Sequence, residues 1–195
     1  MHELIPDGGV IRKLWIHEAR SYRDHLLRLD PASRRNRFGG VVSDERIRNH
    51  VDSSILLDAV IHGFIVDGTL RGAAELRPIG TPAGSWLSGE AEAAFSVEKP
   101  WQSHGVGSEL LGRTLLAARN RGIKMLQMNC LADNRRMQQL ARKFDADLRF
   151  DFGSVVGEVI SPRPNALSVM REAFADGHGL ATALLDAQAR LIKPA

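Results

Sequence analysis

The stretch Val97–Leu111, VEKPWQSHGVGSELL, constrains the chain more than any other. An extended run stops at Pro100, and the polar tripeptide Gln102-Ser103-His104 leads into Gly105 and Gly107. Helical apolar spacing then begins at once, with Leu110, Leu111, Leu115 and Ala118 on one stripe and Gly122 as the stop. A strand must therefore feed a helix through a turn that two glycines keep free of Cβ atoms. Such a turn points successive backbone N–H groups into one concavity, and the helix adds the positive end of its dipole. Phosphate is the natural guest. The spacing excludes a P-loop, which needs Gly-x-x-x-x-Gly-Lys-Ser/Thr. It also excludes a dinucleotide fingerprint, whose third glycine would stand where Leu110 is.

Around this turn, strand-like and helix-like runs alternate. Val10–His17 reads as a strand and Glu18–Leu29 as a helix with Ala19, Tyr22, Leu26 and Leu29 on one face; a second helix follows the capping residue Ser43. Asp58–Val66 and Thr69–Arg77 read as a hairpin closed by Asp67-Gly68. A Gly/Pro/Ser-rich loop leads to a strand at Glu92–Glu98. After the glycine turn come a strand (Ile123–Cys130), a helix (Asn134–Phe144) and extended runs at Leu148–Phe152 and Ser154–Ile160. This is an α/β (α+β) pattern in one domain, residues 1–161, with a helical extension at 162–195. The extension serves as cover for the sheet in the simpler expectation and as a homodimer contact in the sharper one.

Composition bounds the partners. With 195 residues and 44% hydrophobic content the chain can build one good core. A net charge of +3 mildly favours anionic ligands but is too small to argue for nucleic acid, and no aromatic and basic stripe is present. The single cysteine, Cys130, allows no internal disulfide and no cysteine-based metal site, so no metal is expected. No apolar run is long enough to span a membrane and the N-terminus lacks a signal-like segment, so the expectation is a soluble cytoplasmic protein.

The motif Gln102-x-x-Gly105-x-Gly107 after the strand AEAAFSVEKP, with Asn134 one strand farther on, resembles the Gcn5-related N-acetyltransferase (GNAT) superfamily over roughly Val10–Val159. The pair LDPASRRNRF and NRRMQQLARK is similar to the GNAT module of bacterial protein lysine acetyltransferases, through a Ser-x-x-x-Arg-Phe element at Ser33, Arg37 and Phe38. The resemblance implies a mixed central sheet of six to seven strands flanked by helices, with acetyl-CoA as co-substrate. By the same resemblance, backbone amides of Gln102, Ser103, His104, Gly105, Val106, Gly107 and Ser108 cradle the pyrophosphate. Phe95, Ser96 and Val97 take the pantetheine arm. Asn134 touches the cofactor, although a helix N-cap explains that residue nearly as well.

The acceptor amine must lose a proton before it attacks, since an unperturbed lysine-type amine has a pKa of ~10.4. Strand alternation puts Glu90, Glu92, Ala94, Ser96 and Glu98 on one face, and small Ala94 and Ser96 leave room beside Glu92. Glu92 matches the glutamate of the family's Ala-Glu-x-Ala element, which implies the general base. Glu90 and Glu98, nearer the strand ends, are expected to meet solvent. The family's tyrosine seven residues after the asparagine is replaced by Ala141, and the one tyrosine, Tyr22, is expected to be partly buried on its helix. His104 is expected to face solvent, Cys130 to be a small buried group, and Arg34, Arg35 and Arg37 to form a solvated helix end. The function implied is acetyl transfer to a protein lysine or a small primary amine. The competing reading is a non-catalytic acyl-CoA sensor or assembly partner.

Overall fold

The computed structural model describes residues 9–56, 59–80, 86–151, 153–177 and 181. Its elements, in chain order, are β1 (Val10–Lys13), α1 (Ala19–Arg28), α2 (Pro31–Phe38), α3 (Asp44–Leu56), β2 (Val60–Val66) and β3 (Thr69–Pro78). There follow β4 (Glu90–Val97), α4 (Val106–Asn120), β5 (Met125–Leu131), α5 (Arg135–Lys143), β6 (Asp147–Asp151) and β7 (Ser154–Ile160). Residues 166–177 are helical. The seven strands form one mixed sheet in the order β1-β2-β3-β4-β5-β7-β6, as the family resemblance implies. Among the described residues only the β4–β5 pairing is parallel.

Local chemistry sets the boundaries. β1 ends at Lys13 rather than running to His17, because Glu18 reaches back. Its carboxylate takes both Arg12 guanidinium nitrogens at 2.7 and 2.6 Å and the Trp15 amide at 3.1 Å, closing a 3₁₀ turn. Helix α2 is an element that apolar periodicity does not reveal, since PASRRNRF has almost no apolar stripe. Asp30 caps it by accepting from the amides of Ala32 and Ser33, Pro31 fills the first turn, and Gly39 ends it in the left-handed region. The β2–β3 turn has positive φ at both Asp67 and Gly68, as a two-residue hairpin requires.

Two cores cover the sheet faces. Leu76, Ala91, Ala93, Leu126 and Met128 pack against Leu111, Ala117 and Ala118 of α4 and Ala141 of α5. On the opposite face Ile61, Leu70 and Ala73 meet Tyr22, Leu26 and Leu29 of the α1 segment and Ile47 and Val51 of α3. Each fully buried large apolar side chain contributes about 1.5–3 kcal/mol. A smaller cluster of Phe64, Ala74, Val106 and Leu110 seats the start of α4 on the sheet, with Trp101 edge-on to Phe64.

Residues 166–177 are tied to the end of α4. Asn120 exchanges hydrogen bonds with Ser168, and Asn120 and Arg121 both donate to Glu172. The second helix expected in the tail lies, apart from residue 181, outside the described residues.

His62 sits buried on β2, and its Nδ1 has no hydrogen-bond partner among the described residues. Burial, aided by Arg113, Arg121 and Lys13, lowers its pKa to about 3. The unfolded chain therefore binds a proton below ~6.5 that the folded chain refuses. His62 stability is complete above that value and is lost as pH falls toward 3. Urea denaturation of wild type and His62→Gln between pH 7 and 4 is expected to show a shallower loss in the variant. Equal slopes would remove His62 from the account.

Candidate active site

The site begins where the sheet opens. β4 and β5 pair only over Glu90–Glu92 and Met125–Gln127, although β4 runs on to Val97 and β5 to Leu131. Beyond that point the strands part, and β5 keeps its pairing with β7 while β4 keeps β3. Two clefts lie at the opening.

The first, of about 520 Å³, is lined by Phe95, Ser96 and Val97 of β4, by Gln102, Ser103, Gly105, Gly107 and Ser108, and by Asn134. All of these are among the residues to which the family resemblance assigns the cofactor. His104 and Val106 do not line it: His104 is exposed, and Val106 is buried in the cluster under α4. The turn itself is built as the glycines suggest. Gly105 has φ 81° and Ser103 φ 65°, so left-handed residues stand with one residue between them along the loop, the kind of backbone from which anion-binding concavities are built. Among the described residues no side chain caps the first turn of α4, which leaves its N–H groups to the cleft. At Gly107 an added Cβ would meet nothing closer than Leu140 Cδ2 at 3.5 Å.

Side chains missed by sequence reading complete the cleft. Lys99, Arg136 and Lys143 line it and give it a cationic wall suited to phosphate. Arg136 donates to Gln102 Oε1, while Gln102 Nε2 donates to Val97 O at 2.8 Å and Ser33 Oγ at 3.1 Å. Gln102 thus ties the loop to β4 and α2. Asn134 caps α5 by accepting from the Met137 amide at 3.2 Å and lines the cleft as well.

The second cleft, about 350 Å³, lies across β4 and is lined by Glu92, Ala94, Arg77, Glu75 and Asn129, with α2 and α3 residues Arg37, Arg46 and His50. Glu92 accepts from Arg77 Nε at 3.0 Å and Asn129 Nδ2 at 3.1 Å, and its side chain is 20% exposed. Glu90 at the strand's start is exposed.

Three expectations need correction. Tyr22 is fully rather than partly buried, donating to Glu75 Oε2 at 2.9 Å, and burial with the nearby Glu75 charge drives its pKa upward. Arg37 is not solvated: its guanidinium is enclosed, and one nitrogen donates to both Glu75 and Tyr22 Oη. Glu98 does not meet solvent either; it is 9% exposed and lies in a network with His25, Arg28 and Arg71. The other two arginines of that helix also pair, Arg34 with Asp44 and Arg35 with Asp133. Cys130 is buried, and burial pushes its thiol up.

Glu75 is the centre of the buried cluster. Burial pushes its carboxyl up, but donation from His50, the Arg37 charge and the Ser54 hydroxyl outweigh this and hold it well below the usual range. A lone carboxylate within the apolar strand GAAEL was the available signal, because such a group is buried only when paired. Glu75→Gln keeps the shape and strands Arg37, so it is expected to lower folding stability by about 2–3 kcal/mol. A urea midpoint equal to wild type would contradict this.

Comparison with known proteins bears on what the two clefts serve. Residues 35–146, more than half of the chain, match the family model described as Acetyltransferase (GNAT) family. Among solved structures, the GNAT domain of S. lividans PAT superposes with a TM-score of 0.64 at 23% identity, covering 77% of this chain and 89% of that one. The protein yncA of Salmonella typhimurium, whose structure holds acetyl-CoA, gives 0.58 at 16% identity, with 81% and 96% covered. RimL, a ribosomal L7/L12 alpha-N-protein acetyltransferase in complex with coenzyme A, gives 0.55 at 20%, with 80% and 97% covered. These structural likenesses carry the fold. The matched segment spans the parted strands, the glycine turn and α5, and by it this chain belongs to the GNAT acetyltransferase family.

Proposed function

We propose that the chain is an N-acetyltransferase that takes acetyl-CoA in the first cleft and a primary amine in the second. The observation that carries the reading is the division of one strand between two clefts: Glu92 and Ala94 line one, and Phe95, Ser96 and Val97 line the other.

The residues present fit the co-substrate. Two glycines and an uncapped helix start suit a pyrophosphate, and Lys99, Arg136 and Lys143 supply charge. The unpaired edge of β4 beyond Glu92 offers backbone groups to an arm carrying amides. Acetyl-CoA supplies an activated acyl group as a thioester. A backbone N–H on that edge serves as the donor for the developing oxyanion. Glu92 accepts the amine's proton, directly or through water, from the second cleft. Arg77 and Asn129 donate to the carboxylate and fix its orientation. The acceptor is a protein lysine or a small amine. The resemblance to the protein lysine acetyltransferase module supports the first.

One observation favours the rival reading of a non-catalytic acyl-CoA sensor: the Arg77 pair already occupies the Glu92 carboxylate. Release of free CoA thiol from acetyl-CoA, measured with a panel of small amines and lysine peptides, separates the two. Amine-dependent release supports transfer. Saturable acetyl-CoA binding with no amine-dependent release would support the sensor.

A further inference from the structure

One residue lining the first cleft, Ser96, belongs to a second set of hydrogen-bonded polar groups. Its Oγ lies 2.9 Å from Nε2 of His25, a residue of α1 with 0% exposure. The other ring nitrogen, Nδ1, lies 3.3 Å from Glu98 Oε1. Glu98 is fixed in turn by Arg28, at 3.1 and 3.0 Å on Oε1, and by Arg71 at 3.0 Å on Oε2.

The proton positions follow from what each group can do. Burial pushes Glu98 up, but donation from His25 and Arg71 outweighs this and brings its pKa to about 2, so its carboxylate can only accept. The ring proton of His25 therefore resides on Nδ1. Burial keeps the imidazole neutral, and the Nε2 lone pair takes the hydrogen of Ser96. A hydroxyl bound to a neutral imidazole, itself oriented by a carboxylate, is the arrangement that activates a serine for acyl transfer. Tying α1 to β4 would not require it, because apolar groups of the same volume pack there at lower desolvation cost.

We propose that Ser96, His25 and Glu98 form a second reactive centre, at which an acyl thioester is cleaved without an amine and the acyl group passes through Ser96. The inference rests on the first cleft being the seat of acetyl-CoA. Ser96 Oγ bonds to the thioester carbonyl carbon as its proton moves to His25 Nε2. The C–S bond then breaks, and the thiolate leaves with that proton as free CoA. Water attacks the resulting serine ester, giving its proton to His25, and the C–O bond breaks to release acetate as Ser96 regains its hydrogen. No oxidant or metal is needed.

The test uses the whole chain, acetyl-CoA and no amine. Thiol release is followed for wild type, Ser96→Ala and His25→Asn, acid-quenched samples are examined by mass spectrometry, and calorimetry measures acetyl-CoA binding in each. The proposal expects a mass gain of one acetyl group, mapped to the peptide holding Ser96. It also expects amine-free release at saturating acetyl-CoA, with saturation set by the affinity measured for each protein, to fall by about 10²-fold or more in both variants. Amine-free release that is unchanged in Ser96→Ala, with binding retained, overturns it. So does an acetyl group found on another residue. Absence of acetyl-CoA binding in wild type would instead refute the assignment of the cleft, and this inference with it.

Discussion

Replacing Glu92 with glutamine is expected to lower acetyl transfer to an amine by about 10²–10⁴-fold, the usual worth of a positioned general base. The side-chain amide would keep the volume and an acceptor for Arg77 or Asn129, so the second cleft should hold its shape. What disappears is the capacity to take a proton. Because Glu92 lines the second cleft and not the first, acetyl-CoA affinity is expected to stay near the wild-type value. The sign of the pH dependence follows from the amine. At low pH nearly all acceptor is protonated and the base matters most; as pH approaches ~10.4 free amine becomes abundant and the deficit shrinks. Rates of wild type and Glu92→Gln across that range decide the matter. Parallel profiles would make Glu92 a structural partner of Arg77, and an affinity that falls in step with rate would place it in the cofactor's seat.

Gly107→Val carries the second large effect. The added Cβ would enter the first cleft, where Leu140 Cδ2 at 3.5 Å is the nearest atom, so the fold has room for it. A phosphate held by backbone N–H groups at the start of α4 does not. The expected result is a loss of acetyl-CoA affinity of about 10³-fold or more, since several charge-assisted hydrogen bonds fail together. Thermal stability should change little, at the level of an ordinary helix substitution. Calorimetry with wild type and variant checks both halves: unchanged affinity would remove the glycine turn from the binding site.

Much of this architecture is written in local patterns. The Asp67-Gly68 hairpin, the strand–glycine–helix unit and the α4 stripe each follow from a few neighbouring residues, and each stands where the spacing puts it. Helix α2 escapes because its evidence is a cap and a proline rather than a stripe. The clefts are legible only in part, for a different reason. Phe95–Val97, Lys99 and Gly105–Ser108 come from one continuous segment, whereas Arg136 and Lys143 join them only through packing of α5 beside the turn. Glu98 shows the limit most clearly. At a strand's end it should meet water, yet Arg28 from α1 and Arg71 from β3 close over it and His25 hydrogen-bonds to it. His25 gave one hint, a polar residue on the stripe shared by Tyr22, Leu26 and Leu29. A partner about seventy residues away in sequence is fixed by the sheet, not by spacing.

The central claim is that the parted strands and the glycine turn seat acetyl-CoA. Amide hydrogen exchange with and without acetyl-CoA tests it residue by residue, because protection reports directly on backbone groups engaged by a ligand. The account predicts slowed exchange on adding acetyl-CoA at Phe95–Val97, along Gln102–Ser108 and at the start of α4, with the edge strands β1 and β6 unchanged. Unaltered exchange across Gln102–Ser108 at saturating acetyl-CoA, or protection confined to another part of the chain, would contradict it.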